Sequence, residues 1–164
     1  MDLLPFADAH AVTVAGWPTS VDEVVMWCGR KEFPVDVQTI IDWQRDDDVR
    51  AQVLVEGEKV VGYGELWFDA EEDAVELARI VIAPDRRGKG LGRVLVRGLL
   101  AHAIGVGFSD VFMRVHPDNE KALRCYRGPG SCRSTPVWPR AGMRLSRSTM
   151  SGFRVIRKLR SAEL

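Results

Sequence analysis

A glycine-rich turn joins a strand to a helix between residues 87 and 92, and no other stretch limits the chain as much. Arg87-Gly88-Lys89-Gly90-Leu91-Gly92 follows residues 75–82, apolar and β-branched, which Ala83-Pro84-Asp85 closes. Beyond the turn, residues 91–106 place apolar side chains at helical spacing. Strand, glycine turn and helix start are the parts of a backbone anion cradle, whose turn amides and helix N-terminus point at one bound group. Glycines at 88, 90 and 92 let a phosphate approach the main chain without meeting a Cβ. Arg86, Arg87, Lys89 and Arg93 add positive charge around it.

Two familiar phosphate loops do not fit. A P-loop needs Gly-Lys-Ser/Thr, and here Gly90 leads into Leu91-Gly92. A dinucleotide fingerprint needs G-x-G-x-x-G, and the glycine after Gly92 is Gly98. The pattern present is Arg-x-x-Gly-x-Gly. Downstream, residues 110–115 read as a short strand that His116-Pro117-Asp118-Asn119 breaks. Residues 120–126 then read as a helix carrying Asn119-x-x-Ala122-x-x-x-Tyr126. Loop, strand and helix together, over about residues 53–126, resemble the GNAT superfamily of acyl-CoA-dependent N-acyltransferases.

The resemblance implies an α/β (α+β) fold: a mixed, mostly antiparallel sheet with splayed fourth and fifth strands, flanked by helices. It implies acetyl-CoA as co-substrate, with the diphosphate on Arg87, Gly88, Lys89, Gly90, Leu91, Gly92 and Arg93. Backbone groups of Ile80, Val81 and Ile82 would pair with the pantetheine arm and hold the thioester oxygen. Asn119 and Tyr126 would flank the thioester, with Tyr126 as the acid toward the leaving thiolate. An amine of pKa near 10.4 is neutral about once in 10³ at pH 7, a handicap of about 4 kcal/mol, so a base is needed. Glu65 on the third strand and Glu76 at the start of the fourth are the candidates, with Glu76 preferred. The fifth-strand position where some relatives place a Glu holds Arg114.

The remaining residues supply the frame. Residues 10–16 read as a strand. Ser20 and Glu23 have capping-box spacing before a helix whose apolar face is Val21, Val24, Val25 and Cys28. A second helix covers about residues 37–44. Strands at 51–56 and 59–68 are joined by Gly57-Glu58, and residues 69–73 form an acidic turn. In the resembling fold the two early helices form much of the acceptor pocket. Trp17, Trp27, Trp43 and Trp67 suit core or pocket wall, His102 suits a helix face shared with Leu91 and Leu95, and Asn119 suits a helix cap. Cys125 suits packing.

Length and composition narrow the setting. The 164 residues suit one domain with its own core. No apolar run approaches a membrane span, and Met1–His10 lacks a signal pattern. Three cysteines, odd in number and without a CxxC, point to a reduced cytoplasm, and His10, His102 and His116 lack ligand spacing, so no metal is expected. Monomer and homodimer both fit.

The net charge of zero conceals two unlike pieces. Residues 1–127 hold 22 acids and 15 bases, a balance of −7; residues 128–164 hold one acid, Glu163, and eight bases, a balance of +7. We read 1–127 as the transferase domain and 128–164 as an atypical basic segment in which the two closing strands of the fold are absent or abnormal. Its stacking residues are only Trp138 and Phe153, which argues against nucleic acid. We read the change as a shift of reading frame near Gly128. Moved back by one base, permitted codons give a Gly-Phe and two apolar strand-like stretches. On that view the acceptor side is incomplete, and an acyl-CoA-binding protein with little catalysis becomes the alternative to an N-acetyltransferase acting on an amine.

Overall fold

The computed structural model describes residues 1–108, 110–126 and 154–159, with the backbone alone for residues 126 and 154–159. Two core clusters, one on each face of a six-stranded sheet, organise these residues. The sheet runs β1 (Asp2–Pro5), β2 (Val49–Glu56), β3 (Lys59–Asp69), β4 (Ala74–Ile82), β5 (Asp110–Val115) and β6 (Arg154–Leu159), in that spatial order. All neighbours are antiparallel except β4 and β5, which are parallel.

Period-two alternation sends Val53 and Val55 to one face and Leu54 to the other. The first face packs under α1 (Ala11–Ala15), α2 (Val21–Cys28) and α3 (Val37–Asp42). The second packs under α4 (Leu91–Gly105), whose Leu91, Leu95, Leu99 and Ala103 repeat every four residues and are all buried. A sheet covered on both faces buries both, which is why every residue of β2 from Ala51 to Val55 is buried.

Several sequence expectations need correction. Residues 10–16 are not a strand: a 3-10 turn at Asp8–His10 leads into α1. The alternating β-branched residues there mislead, because Ala11, Val14 and Ala15 are the buried ones, at spacings of three and four. The first strand is instead β1, mostly exposed at the sheet edge and so without an apolar pattern. On α2 the buried face is Val24, Trp27 and Cys28, while Val21 is 44% exposed. His102 is exposed, because the buried stripe of α4 runs through Leu99 and Ala103. β6 supplies one closing strand, pairing Val111 with Leu159 and Val115 with Arg154. Val155, Ile156 and Leu159 give that basic stretch enough strand propensity. The rest of the segment beyond Tyr126 lies outside the described residues.

Two irregularities in β4 shape the functional region. Opposite β3, Tyr63 pairs with Val81 and Glu65 with Ala78, so Arg79 and Ile80 face Gly64 alone, a β-bulge. Opposite β5, pairing runs from Ala74–Asp110 to Leu77–Met113 and stops there. The two strands therefore part at the bulge, and among the described residues the edge of β4 through Ile82 has no strand beside it on that side.

Candidate active site

The turn after β4 has the conformation its glycines predict. Gly88 and Gly90 have φ of 77° and 81°, where an L side chain is strained, and a Cβ built on either would meet nothing within 4 Å. Gly90 starts α4 with no side-chain cap. Among the described residues, the amides of Gly88, Lys89, Gly90, Leu91 and Gly92 meet no acceptor; the next two, of Arg93 and Val94, turn back to the Gly90 carbonyl at 3.0 and 3.4 Å. Five successive free donors at the start of a 15-residue helix, with open space before them, make an anion cradle.

Arg87 serves this cradle from behind. Its guanidinium donates to Glu23 Oε1 at 2.7 Å and to the carbonyls of Ile82 and Trp17 at 3.0 and 3.3 Å. The capping box at the start of α2 forms in part: Ser20 Oγ accepts from the Glu23 amide at 3.2 Å, but Glu23 Oε2 reaches the Thr19 amide at 2.9 Å. Burial opposes ionisation of Glu23, yet the hydrogen bonds from Arg87 and the Thr19 amide outweigh it and hold its carboxyl below the usual range. Gly92 has a different purpose from the two turn glycines. A Cβ there would lie 3.3 Å from Cys125 Sγ, so it lets α4 approach α5 (Glu120–Tyr126), and Arg93 Nε donates to the Cys125 carbonyl at 3.0 Å.

Where β4 and β5 part, a cleft of about 430 Å³, counting the solvent at its mouth, opens between α2 and α5. Met26, Trp27, Glu76, Arg79, Arg114 and Asn119 are among its walls. Asn119 Oδ1 accepts from the Ala122 amide at 3.1 Å and so caps α5, as expected. Tyr126 ends α5, and its side chain lies outside the described residues.

Both candidate bases are engaged. Glu76 accepts from Arg114 through both oxygens, Nε at 2.7 Å and Nη2 in a closer contact. Glu65 is fully buried on the face away from α4, where Tyr63 donates to Oε1 and Trp67 Nε1 and Arg79 Nη1 donate to Oε2 at 2.5 and 2.8 Å. Burial, then the adjacent Glu65 carboxylate, push the Tyr63 phenol well above its ordinary range. Glu76 lines the cleft; Glu65 does not.

These features match a known family. A sequence profile of the Acetyltransferase (GNAT) family aligns with residues 19–130, more than half of the chain. The chain belongs to the GNAT acetyltransferase family. This GNAT chain is 35% identical over 89 residues to mycothiol acetyltransferase of Corynebacterium efficiens, covering 54% of this chain and 29% of that protein. It is 31% identical over 86 residues to streptothricin acetyltransferase of Streptomyces lavendulae, covering 52% and 46%. The matches thus span less than half the length of these curated relatives. The fold is similar to that of spermidine N-acetyltransferase from Vibrio cholerae in complex with CoA and spermine, with a TM-score of 0.64, 19% identity and 77% of each chain covered.

In the GNAT chain, then, the structure brings residues 76–80 of β4, Arg114 and Asn119 around one cleft, sets the 87–92 turn beyond the end of β4, and leaves Glu65 on the same sheet face as Glu76 but outside the cleft lining. Sequence reading missed Arg79. The available signal was a lone cation between Ala78 and Ile80 in an apolar strand. It gave Arg114 only as a replaced position, not as the partner of Glu76. Among the described residues no cluster of His, Cys, Asp or Glu could hold a metal ion, and no helix is long and apolar enough to cross a membrane.

Proposed function

We propose that this GNAT chain transfers an acetyl group from acetyl-CoA directly to a primary amine of a small molecule or peptide. The observation that carries this is the row of five amides from Gly88 to Gly92 that meet no acceptor among the described residues, on the turn that follows β4. The open space at Gly88 and Gly90 fits a diphosphate, and Lys89 and Arg93 would add charge at its rim. Bound acetyl-CoA supplies the activated acyl group. The chain's own part is to hold and protonate. The β4 edge at Ile80, Val81 and Ile82 offers main-chain groups to an extended arm, like an added strand, and an amide to the thioester oxygen.

Glu76 is the base this reading retains, acting on the amine through water, because it is the candidate that lines the cleft. Tyr126, at the end of α5, is assigned as the acid toward the sulfur. The named relatives are titled mycothiol acetyltransferase, streptothricin acetyltransferase and spermidine N-acetyltransferase, a spread that leaves the acceptor of this chain as an amine class and no narrower.

One observation favours the alternative of an acyl-CoA-binding protein with an impaired acceptor site: both candidate carboxylates are already taken up by arginines. Titration calorimetry with acetyl-CoA, with a thiol-release assay over an amine panel, separates the readings. We expect binding together with amine-dependent thiol release. Binding with no release for any amine supports the alternative, and absence of binding removes both. The domain itself we place at residues 1–127; the family match ends at residue 130, close to the change in charge at 128.

A further inference from the structure

We infer that Glu65 and Arg79 form a positioning clamp that holds the β4 bulge open, so that Glu65 acts on the site through Arg79 and not as a base. The inference rests on the acetyl-CoA reading above, because the strand edge it positions is the one assigned to the pantetheine arm. Arg79 has φ of +45°, and with Asp73 it is one of two residues other than glycine at positive φ among those described. That conformation is strained for an L residue and persists only where the surroundings impose it. Here the surroundings are specific. The Arg79 guanidinium is pinned to Glu65 at 2.8 Å, stacked 3.8 Å from the Trp43 ring centroid, and 4.7 Å from that of Trp67. The Arg79 carbonyl accepts from Trp27 Nε1 at 2.7 Å.

Side chain and main chain of one residue are thus held from opposite ends, by β3 and by α2. Glu65 is itself fixed by Tyr63, which Gln44 Nε2 meets at 3.0 Å, and by Trp67. Every donor to the Glu65 carboxylate is a fixed side chain of the sheet, and nothing in that arrangement exposes it to an incoming amine. The grip is not complete: among the described residues Arg79 Nε is buried with no partner, and the guanidinium is kept in place by one ion pair and two ring faces. Release the pair, and the strained backbone has reason to relax. Ile80 would then fall back toward a regular ladder opposite Gly64, withdrawing the edge that runs to Ile82.

The test compares Glu65→Gln, Arg79→Met and the double variant in the full chain, by calorimetry with CoA and by amide NMR of Ile80–Ile82. Each single variant should weaken CoA binding roughly tenfold, and the double variant should be no more than about threefold worse than either, since one clamp breaks only once. The Ile80–Ile82 amide shifts should move alike in all three, with or without CoA. Should a single variant fail to fold by leaving one buried charge unpaired, the double variant, which has neither charge, decides the matter alone. Variants that keep wild-type shifts at Ile80–Ile82 and wild-type CoA affinity overturn the clamp. So does a Glu65→Gln protein that binds CoA normally and loses only amine-dependent turnover, which is the mark of a base. If the wild type does not bind CoA, the proposed function fails, while the amide shifts still confirm or reject the clamp.

Discussion

At Glu76 two demands meet in one side chain, since it lines the cleft and is also held by both arms of the Arg114 fork. Glu76→Gln keeps the shape and removes the charge. As the base, it should lose amine-dependent turnover by about 10²-fold or more and bind acetyl-CoA as before. Unchanged turnover would take Glu76 out of the chemistry and leave it as the partner of Arg114. Tyr126→Phe should lower the turnover rate more than acetyl-CoA affinity, because a thiolate is already a fair leaving group near pKa 8.5 and the acid helps only in the transition state. Steady-state kinetics beside calorimetry read that split, and the opposite pattern removes Tyr126 from the role. Carboxylates on inner strands were legible in the sequence. Their partners were not: Arg79 lies 14 residues from Glu65 and Arg114 lies 38 from Glu76, and only strand pairing brings them together.

Among the elements, the turn from β4 into α4 was the most legible, because glycine at fixed offsets from a helix start has few other readings. The two kinds of glycine in it make separable predictions. Gly90→Ala places a side chain at φ 81° in open space, so it strains the turn by about 1 kcal/mol and obstructs whatever sits on the amides. We expect acetyl-CoA affinity to fall at least tenfold while thermal stability changes little. Gly92→Ala pushes on Cys125 Sγ at 3.3 Å instead, so it should lower the unfolding temperature with a smaller effect on affinity. Calorimetry and thermal unfolding of the two proteins side by side would expose any reversal. Less legible was the opening of the chain. β1 is too exposed to show alternation, and α1 too short to show a full helical period, so tertiary packing of Ala11 and Val14 decides what local pattern could not. The bulge was also hidden: nothing in residues 74–82 marks Arg79 as the extra residue until its pairing with β3 is seen.

For the molecule as a whole, the sheet's first face contains a titratable group that links its stability to alkaline pH. Tyr63 is fully buried, with Glu65 on one side of its hydroxyl and Gln44 on the other. Its folded pKa is raised above the unfolded value near 10, so the folded state retains a proton that the unfolded chain has released. The stabilisation is fully present below about pH 10 and is lost as the pH climbs from there toward the folded pKa. Glu23 gives the opposite limb: its pKa is lowered, so its contribution holds above about pH 4.5 and fades as the pH falls through the folded value. The slope alone does not identify Tyr63, and the comparison with Tyr63→Phe does. That protein should be less stable at pH 8 by about 1–3 kcal/mol, since a buried carboxylate loses a donor. It should also lose stability less steeply between pH 10 and 12. Urea unfolding at stepped pH measures both terms. An unaltered alkaline slope in Tyr63→Phe would mean that the phenol does not govern the loss, and that the Tyr63–Glu65–Arg79 network is less tightly closed than its geometry indicates.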